Sequence, residues 1–260
     1  NPVPEVVINS KDDWKVLGDK FGRAFSESKG LVVFSENQLN VLEKNLTEYS
    51  SWFKSKNIVY YIAIAPNKLT YYQDLVPINK KSVTTKFSQL QKICEKLNIK
   101  FINLGAKFPK ETSLKDPSLR DLYYRTDTHW NFYGGFYGYL EIMENIKKDF
   151  PLKNFNKYSL NEIRKTITDE YIGDLNELMQ IEKTEQLTQF RLPKEKEFSV
   201  QLEKQLQIPK DYYKDPKMYE TRYTTDSTKA LNSLKIMSLN DSFFGGFRYV
   251  LKETFHESIF

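Results

Sequence analysis

The run IVYYIAIAP, residues 58–66, constrains the fold more than any other stretch of this chain. Its apolar residues do not alternate with polar ones, so a strand here would be buried on both faces, as a central parallel strand is. Pro66 ends it. The segment before it, ENQLNVLEKNLTEYSSWFKSKN, spaces Leu39, Leu42, Leu46, Tyr49 and Phe53 at the period of an amphipathic helix. A second helix is predicted over 80–97, with Val83, Phe87, Leu90, Ile93 and Cys94 on one face. GLVVFS (30–35) and IKFINLG (99–105) read as further buried strands. Strand, helix, strand, helix, strand is the order of right-handed crossovers in a parallel sheet covered by helices. An α/β fold follows.

Further on, a helix is predicted from Phe132 to Phe150, where Gly134, Gly135 and Gly138 allow close approach to a sheet. The pattern weakens over 151–230, which reads as an irregular insertion of short helices and a β-ribbon formed by EFSVQLE and YETRYTT. Regular structure returns with a buried strand at Leu234–Leu239, a turn at Asn240–Ser242 and a helix through about Phe255. The last residues, HESIF, begin one more strand. The expectation is a single domain over 1–260, with 151–230 inserted.

Composition excludes several function classes. The 39 basic and 34 acidic residues leave a net charge of +5, too small and too dispersed for nucleic-acid binding. No run of about 18 apolar residues exists to span a membrane. Cys94 is the single cysteine, so no intrachain disulfide or cysteine metal cluster forms, and its place on an apolar stripe predicts a buried, inert thiol. The 17 Tyr and 18 Phe fit either an aromatic-rich core or a cleft for sugars. The chain begins with Asn, so a signal peptide or anchor ahead of residue 1 is one expectation.

Chemistry is confined to few positions. Ser242 follows an apolar strand and precedes a glycine-containing helix, where open α/β sheets bind ligands. Its hydroxyl is then a nucleophile, with N–H groups of the following turn, Phe243 first, placed to hold an oxyanion and Gly245 and Gly246 admitting a substrate. Alternatively, Asp241 or Ser242 only caps the helix. A serine nucleophile needs a base. Only two histidines exist. His256 reads as a helix C-terminal residue, whereas His129 lies in LYYRTDTHWNFYGGFYG, two residues after Asp127. In extended backbone i and i+2 share a face, so Asp127 can orient the imidazole. A structural His–Asp pair or a metal site are the alternatives, but no third ligand is evident, and neither metal nor cofactor is expected. At the end of the central strand, Asn67 is a candidate oxyanion donor and Lys68 a candidate contact for an acidic substrate, unless APNK is an ordinary turn. Arg125 and Trp130 flank the histidine as candidate lining. GDL at 173–175 and LKDPSLRDLYY read as turns or caps only.

Three segments carry a resemblance. YYRTDTHWNFYGG resembles the Thr-Asp-Thr-His-Trp segment of the alginate O-acetyltransferase family, the AlgX- and AlgJ-like proteins with an SGNH-hydrolase-like domain. IAIAPNKLTYYQDLVP resembles the family's proline-asparagine-lysine segment, and IMSLNDSFFGGFRYVLKETF its serine segment. The three occur in family order. The resemblance implies an SGNH-hydrolase-like three-layer sandwich with a central, mainly parallel sheet. It also implies a triad of Ser242, His129 and Asp127, export to the periplasm or cell surface, and acetylation of a secreted polysaccharide through an acetyl-serine. The implied partners are a polysaccharide acceptor and an acetyl donor supplied by a membrane-bound O-acyltransferase. Asn240 stands where many members carry glycine, which bears on the turn before Ser242. The family's sheet continues beyond this point, so the chain is expected to stop short at Phe260. A carbohydrate acetylesterase, or a non-catalytic glycan-binding or assembly protein, are the alternatives.

Overall fold

A computed structural model describes residues 6–20, 22–76, 84–109, 121–151, 155–205 and 219–260. Its strands are β1 (Val7–Asn9), β2 (Lys15–Leu17), β3 (Tyr61–Ile64), β4 (Lys100–Asn103), β5 (Arg164–Tyr171), β6 (Glu185–Arg191), β7 (Val200–Gln205), β8 (Tyr219–Thr224), β9 (Asn232–Met237) and β10 (Phe255–Ile259). Its helices are α1 (Ala24–Ser28), α2 (Glu36–Ser55), α3 (Lys68–Tyr71), α4 (Lys86–Lys96), α5 (Phe132–Asp149), α6 (Asp174–Leu178) and α7 (Arg248–Thr254). The protein is α/β, as the alternation required. It divides into two compact units: Asn1–Asn131 with Thr168–Leu187, and Phe132–Ile167 with Thr188–Phe260. Residues 168–187, expected within one insertion, thus belong to the first unit.

In the first unit, α2 starts where Ser35 and Gln38 form a reciprocal capping box, satisfying two backbone donors that the first turn leaves unpaired. Thr85 and Ser88 do the same for α4; the expected start of that helix, at 80–83, lies outside the described residues. Buried Leu46 of α2 meets Ile93, Cys94 and Ile99, with Leu39, Leu42, Ile62, Leu90 and Phe101 packed around them. Cys94 is buried as expected, and burial pushes its thiol up. Tyr49, expected on the buried face, lies at the margin of that stripe and is exposed. Strands β3 and β4 are parallel, from Tyr61↔Lys100 to Ile64↔Asn103. Ala63 is exposed and its strand neighbours are part-buried, so β3 is less enclosed than its composition suggests.

GLVVFS is not a strand. Its backbone is satisfied in other ways: the N–H of Leu31 closes the end of α1 on Ser26 O. The side-chain amide of Gln89 also brackets Phe34, accepting from its N–H at 2.8 Å and donating to its carbonyl at 3.1 Å. A glutamine thus makes the hydrogen bonds that a neighbouring strand would supply. Instead, β1 and β2 form a short antiparallel pair that the sequence pattern did not reveal.

The second unit holds a four-stranded sheet of order β7-β8-β10-β9. β9 and β10 are parallel, while β8 is antiparallel to both β7 and β10. The expected ribbon is therefore present, and it makes this sheet mixed. The expected buried strand at 234–239 is corrected: β9 is an edge strand with alternating burial, and Leu239, beyond its end, is 92% exposed. Helix α5 buries Tyr133, Phe136, Tyr139, Ile142, Met143 and Ile146. Buried Glu253 of α7 accepts the N–H groups of Phe198 and Ser199, both at 2.8 Å.

Candidate active site

Asp127 and His129 come together, though by a different route from the one the spacing suggested. Residues 125–129 form bends rather than extended strand. Asp127 Oδ1 accepts the N–H of His129 at 2.7 Å, an Asx turn, and the same oxygen lies 2.7 Å from His129 Nδ1. One carboxylate oxygen therefore sets both the backbone and the ring of the histidine. That contact identifies Nδ1 as the protonated nitrogen and leaves Nε2 as the basic one. The His129 side chain is about a quarter exposed, at 27%, whereas that of Asp127 is 4% exposed.

The other Asp127 oxygen is held by residues from 168–187. Tyr171 donates its hydroxyl to Oδ2 at 2.5 Å, and Asp174 donates its N–H at 3.0 Å. Burial by itself raises the Asp127 carboxyl, but these hydrogen bonds and those from His129 outweigh it and hold the group at about 2. Asp174 also accepts Thr128 N–H at 2.7 Å and the Thr128 hydroxyl. Glu185 accepts Thr126 N–H at 2.7 Å and Arg125 N–H at 2.9 Å. Gly173 sits directly on the Thr126 carbonyl, where a Cβ would come within 2.2 Å of the oxygen. GDL, expected as a turn or cap only, does place Gly173 ahead of α6, but the segment also braces the histidine loop.

Asp127, His129 and Asp174 each present one ligand atom, all within 4.8 Å of one another, so the third donor that the sequence lacked exists. All four carboxylate oxygens, however, accept hydrogen bonds from this chain.

Two expected site residues turn out to be internal. Lys68 is 3% exposed, and its ammonium donates to Lys15 O at 2.9 Å, Arg125 O at 3.3 Å and Asp127 O. Burial lowers it to about 8, against the pull of Glu185, Asp127 and Asp174. It ties the histidine loop to β2 rather than meeting an acidic substrate. Trp130 is 2% exposed, bridged to Tyr123 and edge-on to Phe108, because its indole fills the core beneath the loop. Asn67 is exposed and caps α3, its Oδ1 accepting Leu69 N–H at 3.0 Å. Arg125 is exposed and pairs with Asp121 at 3.1 Å.

Ser242 lies in the second unit, exposed at the start of a 3-10 turn, Ser242–Gly246, that precedes α7. The expected continuous helix is thus two pieces. Asp241 caps the turn by accepting Phe243 N–H at 3.0 Å, so that N–H is engaged in the cap. Gly135 of α5 lets its backbone reach Gly246, where a Cβ would come within 2.4 Å of the carbonyl oxygen. Around Gly245, by contrast, the space is open. Asn240 is not among the described residues with left-handed backbone, so its backbone conformation does not demand glycine. Its side chain donates to Ser238 O at 3.2 Å. His256, read as a helix C-terminal residue, lies just past α7 in β10, the strand that HESIF was expected to begin, with Nδ1 2.7 Å from Thr225 O.

Residues 8–212 match the family model described as SGNH hydrolase-like domain, acetyltransferase AlgX. The match includes Asp127, His129, Tyr171 and Asp174 and ends before Ser242. No curated protein sequence matches the chain. Among solved structures, PatB1 from Bacillus cereus is similar with a TM-score of 0.65 and 18% identity, covering 100% of this chain and 87% of that one. PatB1 with a sulfonyl adduct gives 0.65 and 19%, covering 97% and 83%. A DHHW family protein from Eubacterium siraeum DSM 15702 gives 0.54 and 12%, covering 84% and 74%. At these identities the likeness establishes the fold.

Proposed function

Because the chain belongs to the SGNH hydrolase-like acetyltransferase family of AlgX, we propose that it is an O-acetyltransferase acting on a secreted polysaccharide through an acetyl-serine. The observation that carries this reading is the oriented pair: Asp127 Oδ1 on His129 Nδ1 at 2.7 Å, with the ring part-exposed. A buried, ionised carboxylate fixes the tautomer and stabilises the imidazolium that forms when Nε2 takes a proton.

Ser242 is assigned the nucleophile. His129 takes the proton from Oγ as the oxygen attacks the acetyl carbonyl of the donor, and returns it to the departing donor oxygen. A sugar hydroxyl then gives its proton to His129 as it attacks the acetyl-serine, and Oγ leaves with that proton. The exposed Asn67 amide is assigned to the developing oxyanion and Arg125 to the acceptor. The acetyl donor is assigned to a membrane-bound O-acyltransferase and the site of action to the periplasm or cell surface. Among the described residues no helix is long and apolar enough to cross a membrane.

The test combines turnover with labelling. With 4-nitrophenyl acetate and a glycan acceptor, the acceptor becomes acetylated, and phenylmethylsulfonyl fluoride modifies Ser242. Ser242→Ala, His129→Ala and Asp127→Ala each lose on the order of 10³-fold or more, since triad members act as a unit. Free acetate as the sole product would make the protein an esterase. Absence of labelling together with retained glycan binding would make it a binding or assembly protein.

A further inference from the structure

We infer that Tyr171 is a positioning residue of the acyl-transfer centre, acting through Asp127. The inference rests on the proposed reaction and adds to it a fourth side chain, from a segment whose sequence shows no regular period.

Among the described residues the Asp127 carboxylate receives four hydrogen bonds, and they divide evenly between its two oxygens. Oδ1 takes both contacts from His129, at 2.7 Å each. Oδ2 takes the Tyr171 hydroxyl at 2.5 Å and the Asp174 N–H at 3.0 Å. A carboxylate rotates readily about its last side-chain bond, whose torsional profile is broad. The Oδ2 donors oppose that rotation and so keep Oδ1 facing Nδ1. Three of the four donors are the imidazole itself or backbone N–H groups. Tyr171 is the one donor from a separate side chain, 44 residues downstream.

The phenol is built to remain a donor. Burial, followed by the hydrogen bond to Asp127 and then that carboxylate's charge, pushes its ionisation up, so its proton stays in place. Its ring rests against Tyr124, with centroids 4.8 Å apart and planes tilted by 46°, and the backbone N–H of Tyr124 reaches His129 O. A donor on Oδ2 also makes the carboxylate less basic. When His129 becomes doubly protonated, the Nδ1 proton then remains on the ring rather than passing to Asp127.

The experiment is a double-mutant cycle on 4-nitrophenyl acetate turnover, with Tyr171→Phe, Asp127→Asn and the pair. Tyr171→Phe should lower kcat about 10-fold with KM unchanged, as expected for loss of one hydrogen bond to a charged group. In the Asp127→Asn background the same substitution should cost less than about 2-fold. An equal loss in both backgrounds would mean that Tyr171 supports the fold and not the carboxylate, and would overturn the inference. So would unchanged turnover in Tyr171→Phe. If Asp127→Asn loses activity while Tyr171→Phe does not, the inference alone fails. If Asp127→Asn is as active as the parent, the proposed triad fails and Tyr171 has nothing to act through.

Discussion

Gly173 shows how one hydrogen atom in place of a side chain fixes the histidine loop. The position sits on the Thr126 carbonyl one residue before Asp127, and a methyl group would overlap that oxygen. Gly173→Ala should therefore destabilise the protein by about 1–3 kcal/mol, the usual range for overpacking. It should also lower acetyl turnover by shifting Asp127. Calorimetry and 4-nitrophenyl acetate hydrolysis check both; an unchanged Tm would show that the loop yields freely. The residues around this point were unevenly legible. Asp127 and His129 lie two positions apart in sequence, so their pairing could be read. Tyr171, Asp174 and Glu185 reach the loop from 40 to 60 positions away, through hydrogen bonds that no local pattern encodes. Lys68 and Trp130 depart from expectation for a related reason: next to a motif, a side chain can face outward or inward, and both are buried.

At the scale of elements, helical period translated into structure most directly, whereas apolar content alone did not fix a strand. Helices α2, α4 and α5 and strands β3 and β4 lie where their patterns place them; the helices each bury a stripe, whereas β3 is only part-buried. GLVVFS fails because a β-branched run can be satisfied by a helix end and a glutamine side chain as well as by a strand. The turn carrying Ser242 is held by a contact between elements, Gly135 of α5 against Gly246. Gly135→Ala would place its Cβ 2.4 Å from the Gly246 oxygen, forcing the turn away from the helix. The rate of Ser242 labelling by phenylmethylsulfonyl fluoride should fall by about 10- to 100-fold, since displacements near 1 Å carry penalties of that order. Labelling at the parent rate would show that the turn does not depend on this packing.

For the whole molecule, the clearest expectation concerns acid. The Asp127 carboxyl is lowered from 3.8 to about 2, and ion pairs with Lys196 and Lys235 lower Glu162 and Glu257 in the same direction. A depressed carboxylate stabilises the folded state above its unfolded value, and that contribution is lost as pH falls through its folded value. Stability should thus hold down to about pH 4 and decline towards pH 2, with Asp127 contributing about 2 kcal/mol. In thermal melts over that range, the gap between the parent and Asp127→Asn should narrow as pH falls; parallel curves would contradict the assignment. The sequence by itself determined the α/β class, the family and the Asp127–His129 pair, because these depend on local period and on residues close together in the chain. Tertiary structure decided the division into two units of discontinuous segments and the donors that pin Asp127. It also turned Lys68 inward to bind loop carbonyls, as such contacts come from packing distant segments rather than from spacing along the chain.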